Sequence, residues 1–224
     1  MTAPQRLIVL VVGALALAGC SLLAGKREEL TIYAPTLTRL ASAAESQQSA
    51  RHWQLAIAQP LVISPLDGDR IVVMPRAGEI QFYKGARWRD NSPAMIQDLL
   101  VRAFRDSTNV TAFAAPTGGV HADFTLRSDL QDFQAEYRAA RVPTVAVRIN
   151  VQFVDNSNGH ALASRSFTTQ HTSVGTDLPH VFAAFEQALN ELLPQIVSWT
   201  VEVGDASWHA SQSQSVRQPP PPSR

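Results

Sequence analysis

The chain has 224 residues with 19 basic and 19 acidic side chains, so its formal net charge is zero. This length suffices for one sizeable domain or at most two small ones. No basic patch or basic stripe with interleaved aromatic residues occurs, which argues against nucleic acid as a partner. The single cysteine cannot form an intrachain disulfide.

The N-terminus has the layout of an export signal. Arg6 and the free amino terminus supply positive charge, and residues 7–18 form an apolar or small-residue stretch. That stretch is shorter than the roughly 20 residues that a helix needs to span a bilayer. It ends in Leu-Ala-Gly-Cys at positions 17–20, where the only cysteine of the chain lies.

This ending resembles the lipobox of bacterial lipoproteins. The resemblance implies that residues 1–19 are a signal peptide, that Cys20 receives a diacylglycerol, and that the new amino terminus is acylated, for example with palmitate. No other cofactor is predicted. Ser21 follows the cysteine in place of the Asp that would favour inner-membrane retention, so the outer membrane is expected. The alternative is an ordinary secreted protein with one unpaired cysteine.

A short charged stem, residues 20–29, precedes several predicted strands. Residues 30–33, 53–57, 71–74 and 79–83 have the apolar runs or alternation of strands. A helix is then predicted, because Asn91 or Ser92 can cap it and Pro93 fits a first helical turn. Its apolar positions share one stripe: Met95, Ile96, Leu99, Leu100, Ala103 and Phe104.

The middle of the chain is predicted to be rich in strands. Residues 110–114 and 123–133 are separated by a turn at 116–119. A strict alternation follows, with one face made by Val145, Val147, Ile149, Val151 and Phe153.

A hairpin is predicted to follow that alternation. Residues 156–159 have turn chemistry, and the return strand is expected at 161–171. Leu162 and Phe167 have opposite parity on that strand, which indicates a bulge or mixed burial.

The last predicted element is a long helix from Asp177 or Leu178. Its buried stripe comprises Val181, Phe182, Phe185, Leu189, Leu192, Leu193, Ile196 and Val197. Pro194 predicts a kink or an early end. Residues 204–224 have no core-forming pattern and are predicted to be a disordered tail rich in Pro, Ser and Gln. We therefore expect one domain over residues 30–203, of the α/β (α+β) class, with an antiparallel-rich sheet packed by two amphipathic helices.

Residues with catalytic or metal-binding chemistry are scattered. The six histidines form no metal-ligand motif, and no nucleophile elbow or phosphate-cradling loop occurs. His121 and Asp123 can be imagined as metal ligands, but a surface histidine beside a strand start is the favoured interpretation. The carboxylates of Asp129, Asp132 and Glu136 are likewise interpreted as a solvated face rather than a hydrolytic pair. No catalytic or metal site is predicted.

An aromatic stretch at 81–88 directly precedes the first predicted helix. Its rings either pack at the edge of the core or form an interaction surface, and packing is the favoured interpretation. Within it, Tyr83, Arg87 and Trp88 are the candidates for contact with a partner protein.

The order of these pieces resembles the ABC-type transport auxiliary lipoproteins, a family that includes paraquat-inducible protein C. The lipobox is followed by Leu-Thr-Ile-Tyr-Ala-Pro, Trp-Gln-Leu-Ala-Ile-Ala and Asp-Arg-Ile-Val-Val, and then by Phe-Tyr-Lys-Gly-Ala-Arg-Trp at 82–88. The hairpin with Leu-Ala-Ser-Arg-Ser-Phe at 162–167 and a closing helix complete the order. The resemblance covers residues 17–200, and the Tyr-Lys-Gly-Ala-Arg-Trp stretch is its most specific part.

The resemblance implies a non-enzymatic lipoprotein, anchored in the outer membrane and facing the periplasm. It would work with an MCE-domain substrate-binding protein and an ABC permease and ATPase that move lipids or other hydrophobic compounds between membranes. Some members form rings, so a homo-oligomeric ring is one implied assembly. The absence of a Walker motif fits an auxiliary component, since another subunit would hydrolyse ATP.

Two alternatives stay open. A lipoprotein that activates a peptidoglycan synthase also combines a lipobox with a small α/β domain, although such proteins usually have a long linker between the two. An envelope hydrolase would need a nucleophile and a base, and the sequence offers no such pair.

Overall fold

The computed structural model describes residues 29–38, 51–115 and 121–217, with side chains as far as residue 213. From residue 32 onward they belong to one compact unit. These residues form nine strands and two helices, which confirms the predicted fold class. The strands are β1 (Thr31–Tyr33), β2 (Gln54–Ile57), β3 (Leu61–Val62), β4 (Arg70–Arg76), β5 (Glu79–Trp88), β6 (Thr111–Ala114), β7 (Phe124–Glu136), β8 (Thr144–Asp155) and β9 (Ala161–Thr172). The helices are α1 (Ser92–Ser107) and α2 (Leu178–Arg217).

The long strand β7 is the centre of the sheet. One of its edges pairs antiparallel with β8, which in turn pairs antiparallel with β9. The other edge pairs in parallel with β2, β3 and β4 in succession. Strand β6 lies parallel to β2, β5 lies antiparallel to β4, and β1 lies beyond β5. The sheet is therefore mixed, with its longest ladders antiparallel.

The hydrophobic core lies between the sheet and the two helices. Helix α1 packs on β2 and β6, α2 packs on β7, β8 and β9, and the helices contact each other. The predicted apolar face of β8 is buried, with every member at most 1% exposed: Val145, Val147, Ile149, Val151 and Phe153. Period-2 alternation identified this face correctly because only one side of the strand faces the helices.

The cap of α1 agrees with the sequence. The Asn91 side chain accepts a hydrogen bond from the backbone N–H of Ala94 at 2.9 Å, and Pro93 lies in the first turn. Such a cap satisfies one of the donors that a helix start leaves without an intrahelical partner. The predicted stripe of this helix is buried against the sheet.

The β8–β9 hairpin contains the predicted bulge. Phe153 pairs with Ala163 while Val154 pairs with Ala161, so Leu162 is an extra residue. Leu162 is 43% exposed and Phe167 is 3% exposed, as their opposite parity requires. Gly159 in the preceding turn has φ +76°, a conformation that favours glycine.

The structure corrects the predicted end of the last helix. Helix α2 continues through Pro194 to Arg217, so it does not end early, and residues 204–217 are not a disordered tail. The helix persists because Gly204 packs against the indole of Trp53 and the Asp205 carboxylate binds Arg51. Residues 218–224 lie outside the described residues, as do residues 1–28, 39–50 and 116–120.

No helix within the described ranges has both the length and the apolar content needed to cross a membrane.

Candidate partner-binding surface

The predicted lipidation site, Cys20, lies outside the described residues, which begin at Glu29. The structure therefore describes the domain that would follow the anchor. Of the predicted site residues, Tyr83, Arg87 and Trp88 all lie on β5.

Strand β5 bulges within the aromatic stretch. Arg70 pairs with Arg87 and Val72 pairs with Phe82. One residue of β4 between these two pairs is therefore matched by four residues of β5. Gly85 lies in this bulge with φ +64°, where a side chain would be strained. The glycine of the Tyr-Lys-Gly-Ala-Arg-Trp stretch therefore has a backbone role, because it lets the chain turn outward before Arg87.

Arg87 is at the surface and forms an ion pair. Its Nη1 donates to both carboxylate oxygens of Asp69, at 2.7 and 3.0 Å, and the two side chains are 47% and 41% exposed. The backbone also joins this region, because the N–H of Trp88 donates to the carbonyl of Asp69 at 2.7 Å. One residue earlier, the Gly68 carbonyl accepts from the N–H and the hydroxyl of Ser92 at the start of α1. These hydrogen bonds fix the backbone that carries the ion pair.

Trp88 belongs to the core. It is 2% exposed, and its ring lies 5.1 Å from the rings of Phe133 and Phe185 and 6.3 Å from that of Phe182. This position agrees with the packing interpretation and argues against a direct partner contact by Trp88. The residue instead holds β5 against α2, and so positions Arg87 next to it.

Tyr83 is half-buried, and its hydroxyl is buried without a hydrogen bond to any described residue. Burial raises the pKa of this phenol, and the neighbouring phenol of Tyr137 raises the pKa further. The Tyr137 hydroxyl is near enough to exert that effect, yet no hydrogen bond of ordinary geometry joins the two. Tyr83 is therefore a neutral group under the domain surface.

Four residues outside the predicted set complete the surface. The guanidinium of Arg70 lies 3.6 Å from the ring centre of Phe82, a cation–π contact across β4 and β5. Lys84 is exposed in the bulge. We call Asp69, Arg70, Phe82, Lys84 and Arg87 the β5 surface; it has three basic groups against one acidic group. Its sequence signals were the aromatic stretch at 81–88 and the Asp-Arg pair at 69–70, which the resemblance quoted without a role.

Three of the other candidates, Asp123, Asp132 and Glu136, make contacts within the domain. Asp123 accepts a hydrogen bond from the N–H of Gln54 at 2.7 Å, so it ties β2 to the start of β7. Asp132 pairs with Arg148, and Glu136 pairs with Arg138 at 2.6 Å. Among the described residues, no group of three or more His, Cys, Asp or Glu side chains is placed to hold a metal ion.

Comparison with known proteins identifies the family. The family model for the ABC-type transport auxiliary lipoprotein component matches residues 36–197. The chain belongs to this family. A crystal structure of a Xanthomonas campestris protein assigned to the family DUF330 is 36% identical, with a TM-score of 0.71, covering 80% of this chain and 99% of that one. The family comprises lipoproteins that accompany ABC transport systems, so membrane anchoring and association with such a system follow at that level.

A more distant structure shares the fold, and a second is less similar. An uncharacterised protein is 14% identical with a TM-score of 0.58, covering 76% of this chain and 98% of that one. A dodecameric PelC of Paraburkholderia phytofirmans is 11% identical with a TM-score of 0.43, covering 74% of this chain and 92% of that one. At that distance PelC carries no argument about the assembly of this chain. A search of curated proteins found no match.

Proposed function

We propose that this chain is the outer-membrane lipoprotein of an MCE-type ABC system that moves lipids or other hydrophobic compounds between membranes. It acts as a docking component and not as an enzyme, and it faces the periplasm. The observation that carries the proposal is the family match over residues 36–197, preceded in the same chain by a lipobox ending at Cys20. The named partners are an MCE-domain protein and its permease and ATPase.

The proposed anchor restricts where the domain can work. Strand β1 begins at Thr31, so ten residues separate it from Cys20. Even fully extended, that stem spans at most about 40 Å. A domain held so close to a membrane has a raised effective concentration for partners at the same membrane. This short stem also favours the transport proposal over a peptidoglycan synthase activator, which usually has a long linker.

We propose the β5 surface as the contact with the MCE-domain protein. Arg87 and Lys84 are exposed there, and only the Asp69 carboxylate opposes the three basic groups. Such a surface fits a partner face with excess acidic groups, because complementary charges speed association and fix orientation. Trp88 and Tyr83 contribute indirectly, by holding β5 in place. A homo-oligomeric ring would present several copies of this surface together.

The partner and the anchor are tested together by purification. The lipidated protein, tagged at its C-terminus, is extracted from its native envelope in mild detergent and its companions are identified by mass spectrometry. We expect an MCE-domain protein with its permease and ATPase, and a diacylglycerol adduct on Cys20. Cys20→Ser serves as the unanchored control and should leave the membrane fraction. Recovery of a peptidoglycan synthase without MCE components would overturn the proposal.

The contact surface is tested by reversing one charge. Arg87→Glu places a carboxylate beside Asp69, so co-purification of the MCE-domain protein should fall and the residual binding should depend differently on salt. Arg102→Glu is the matched control, because Arg102 is also an exposed arginine paired with an aspartate, Asp98, at 2.9 Å. Equal losses in the two variants, or no loss in either, would remove the β5 surface from the proposal.

A further inference from the structure

A second surface feature lies at the far end of the sheet from the hairpin turn at Gly159. Here a cleft of about 890 Å³ opens between the β4–β5 turn and the β7–β8 connection. Its lining is mostly apolar and includes Met74, Pro75, Ala77, Tyr137, Ala139 and Ala140. The volume lies within the range of about 300–1,000 Å³ that is usual for small-molecule sites.

The charged groups on this cleft are predominantly basic. Arg76 and Arg138 line it together with a single carboxylate, that of Glu136, and Arg141 is exposed next to the lining. Arg76 pairs with Glu79 at 2.8 Å and Arg138 with Glu136 at 2.6 Å. The Arg76 and Glu79 side chains are 80% and 36% exposed, and an ion pair so exposed contributes little to stability. The Arg76 guanidinium can therefore turn toward an anion at small cost, while Arg138 stays beside the less exposed Glu136 carboxylate and offers its other N–H donors.

The backbone around the cleft has an unusual conformation. Ala139 has φ +56°, in the left-handed region that residues with a Cβ rarely adopt, and Gly78 on the opposite wall has φ +78°. Ala139 is the one non-glycine residue with positive φ among those the structure describes. Such outliers concentrate at ligand clamps and other functional sites. The two facing turns thus give the cleft its shape.

We propose that this cleft binds a single-chain anionic amphiphile, with an acyl chain along the apolar wall and a carboxylate or phosphate head between Arg76 and Arg138. The inference deepens the proposed function and rests on it, since it names the chemistry of a compound that such a system would handle. A neutral chain would use only the apolar wall, and a soluble anion would use only the arginines. An anionic amphiphile is the chemical class that satisfies both.

The test uses the full lipidated protein in phosphatidylcholine nanodiscs and a diazirine-bearing palmitate as the probe. After photolysis, peptides carrying the adduct are mapped by mass spectrometry. We expect adducts within residues 74–78 and 136–140, and competition by oleate and by lysophosphatidylglycerol but not by oleyl alcohol. Stronger competition by oleate would indicate a free fatty acid, and stronger competition by lysophosphatidylglycerol a lipid headgroup. Equal competition by oleyl alcohol would overturn the anionic part of the inference.

A cleft-filling variant supplies the second readout. Ala140→Trp should lower the adduct yield about tenfold, the change expected when one good apolar contact is lost. Ala183→Trp, at an exposed position of α2, is the control and should not change the yield. Adducts that map elsewhere, or that persist in Ala140→Trp, would overturn the site. If the MCE-domain protein still co-purifies in that case, only the cleft is refuted; if the cleft binds while no MCE-domain protein is found, only the proposed system is refuted.

Discussion

The two parts of helix α2 are held to the domain in different ways. Residues 178–203 carry an apolar stripe whose buried members are at most 4% exposed: Val181, Phe185, Leu189, Leu192, Leu193, Ile196 and Val197. Residues 204–217 carry no such stripe, yet they continue the same helix. The first part is fixed by a repeated pattern, and the second by a few specific contacts at Gly204 and Asp205 and by the packing of Trp208 against the core.

Those specific contacts lie at Trp53 and beside it. The indole N–H donates to Asp205 at 2.9 Å, and the Nε of Arg51 lies 3.0 Å from both oxygens of the same carboxylate. Gly204 lies against the face of the indole, where a Cβ atom would come within 2.5 Å of the ring. Trp53 itself is 1% exposed and packs edge-on against Phe124 and Phe153. A helix can therefore extend beyond its apolar stripe where one small residue and one acid meet a buried indole.

The largest loss of stability is expected from a substitution in residues 178–203 of α2. Leu192→Ala removes a fully buried side chain and should lower the free energy of unfolding by about 2–5 kcal/mol, because the cavity collapses only partly. Urea unfolding followed by circular dichroism measures this change. Gln187→Ala, at an exposed position of the same part, is the control and should change stability little. A loss below about 1 kcal/mol for Leu192→Ala would contradict its place in the core.

Gly204→Ala should have the next largest effect. Alanine is favoured over glycine in a helix by about 1 kcal/mol, but overpacking against a fixed ring costs about 1–3 kcal/mol. We expect a net loss of about 1–2 kcal/mol, since Trp53 is 1% exposed and packs against Phe124 and Phe153, so it cannot move aside easily.

Gly68→Ala is the matched control for that change. An added Cβ there meets nothing within 4 Å, and no positive φ requires glycine. Thermal unfolding should leave this variant unchanged or slightly more stable. If Gly204→Ala were as stable as Gly68→Ala, residues 204–217 would not be held by Trp53.

Asp205→Asn tests the neighbouring contact with Trp53 and Arg51, and its effect on stability should be smaller. The amide oxygen can still accept from the Trp53 indole, while the ion pair with Arg51 is lost. The side chains of Arg51 and Asp205 are 16% and 36% exposed, so solvent screening limits the loss to about 1 kcal/mol. Glu202→Gln, at an exposed acid three residues before Asp205 in the same helix, is the control. A loss that does not shrink in high salt would argue against a charge effect.

The smallest effect concerns pH at the start of α2. The Asp177 carboxylate accepts from the ring nitrogen Nδ1 of His180 at 2.6 Å and from its backbone N–H at 3.2 Å. The side-chain hydrogen bond is the main cause that lowers the pKa of Asp177 below 3.8, and the backbone hydrogen bond adds to it. Stability from this cap is therefore present above the unfolded pKa and is lost as pH falls through the folded pKa. Carboxyl NMR titration should give a pKa below 3.8; a value at or above 3.8 would contradict the cap.

Most of the sheet and the first part of α2 were predictable from the sequence. Alternation identified β8, the cap identified α1, and opposite parity indicated the bulge at Leu162, because each signal is local and repeats along the chain. The end of α2 was not predictable in this way. Its contact with Trp53 joins residues about 150 positions apart, and nothing near Gly204 in the sequence signals it.

The candidate surface was predictable only in part. The aromatic stretch at 81–88 was singled out correctly as the element before α1, but which of its side chains face solvent depends on the bulge at Gly85. Alternation alone puts the neighbours Arg87 and Trp88 on opposite faces, but the bulge shifts the register between Phe82 and Arg87 and so decides which of the two faces solvent. The contact between Arg70 and Phe82 joins two neighbouring strands, and the residues next to each of them in the sequence do not indicate it.

The most direct measurement is photo-crosslinking from the β5 surface in the native envelope. Lys84, in the exposed bulge, is replaced by p-benzoylphenylalanine, with Arg102 on α1 replaced in the same way as the control position. After irradiation, the attached protein is identified by mass spectrometry. We predict an MCE-domain protein joined to position 84 and not to position 102. A peptidoglycan synthase at position 84, or the MCE-domain protein at position 102 alone, would contradict it.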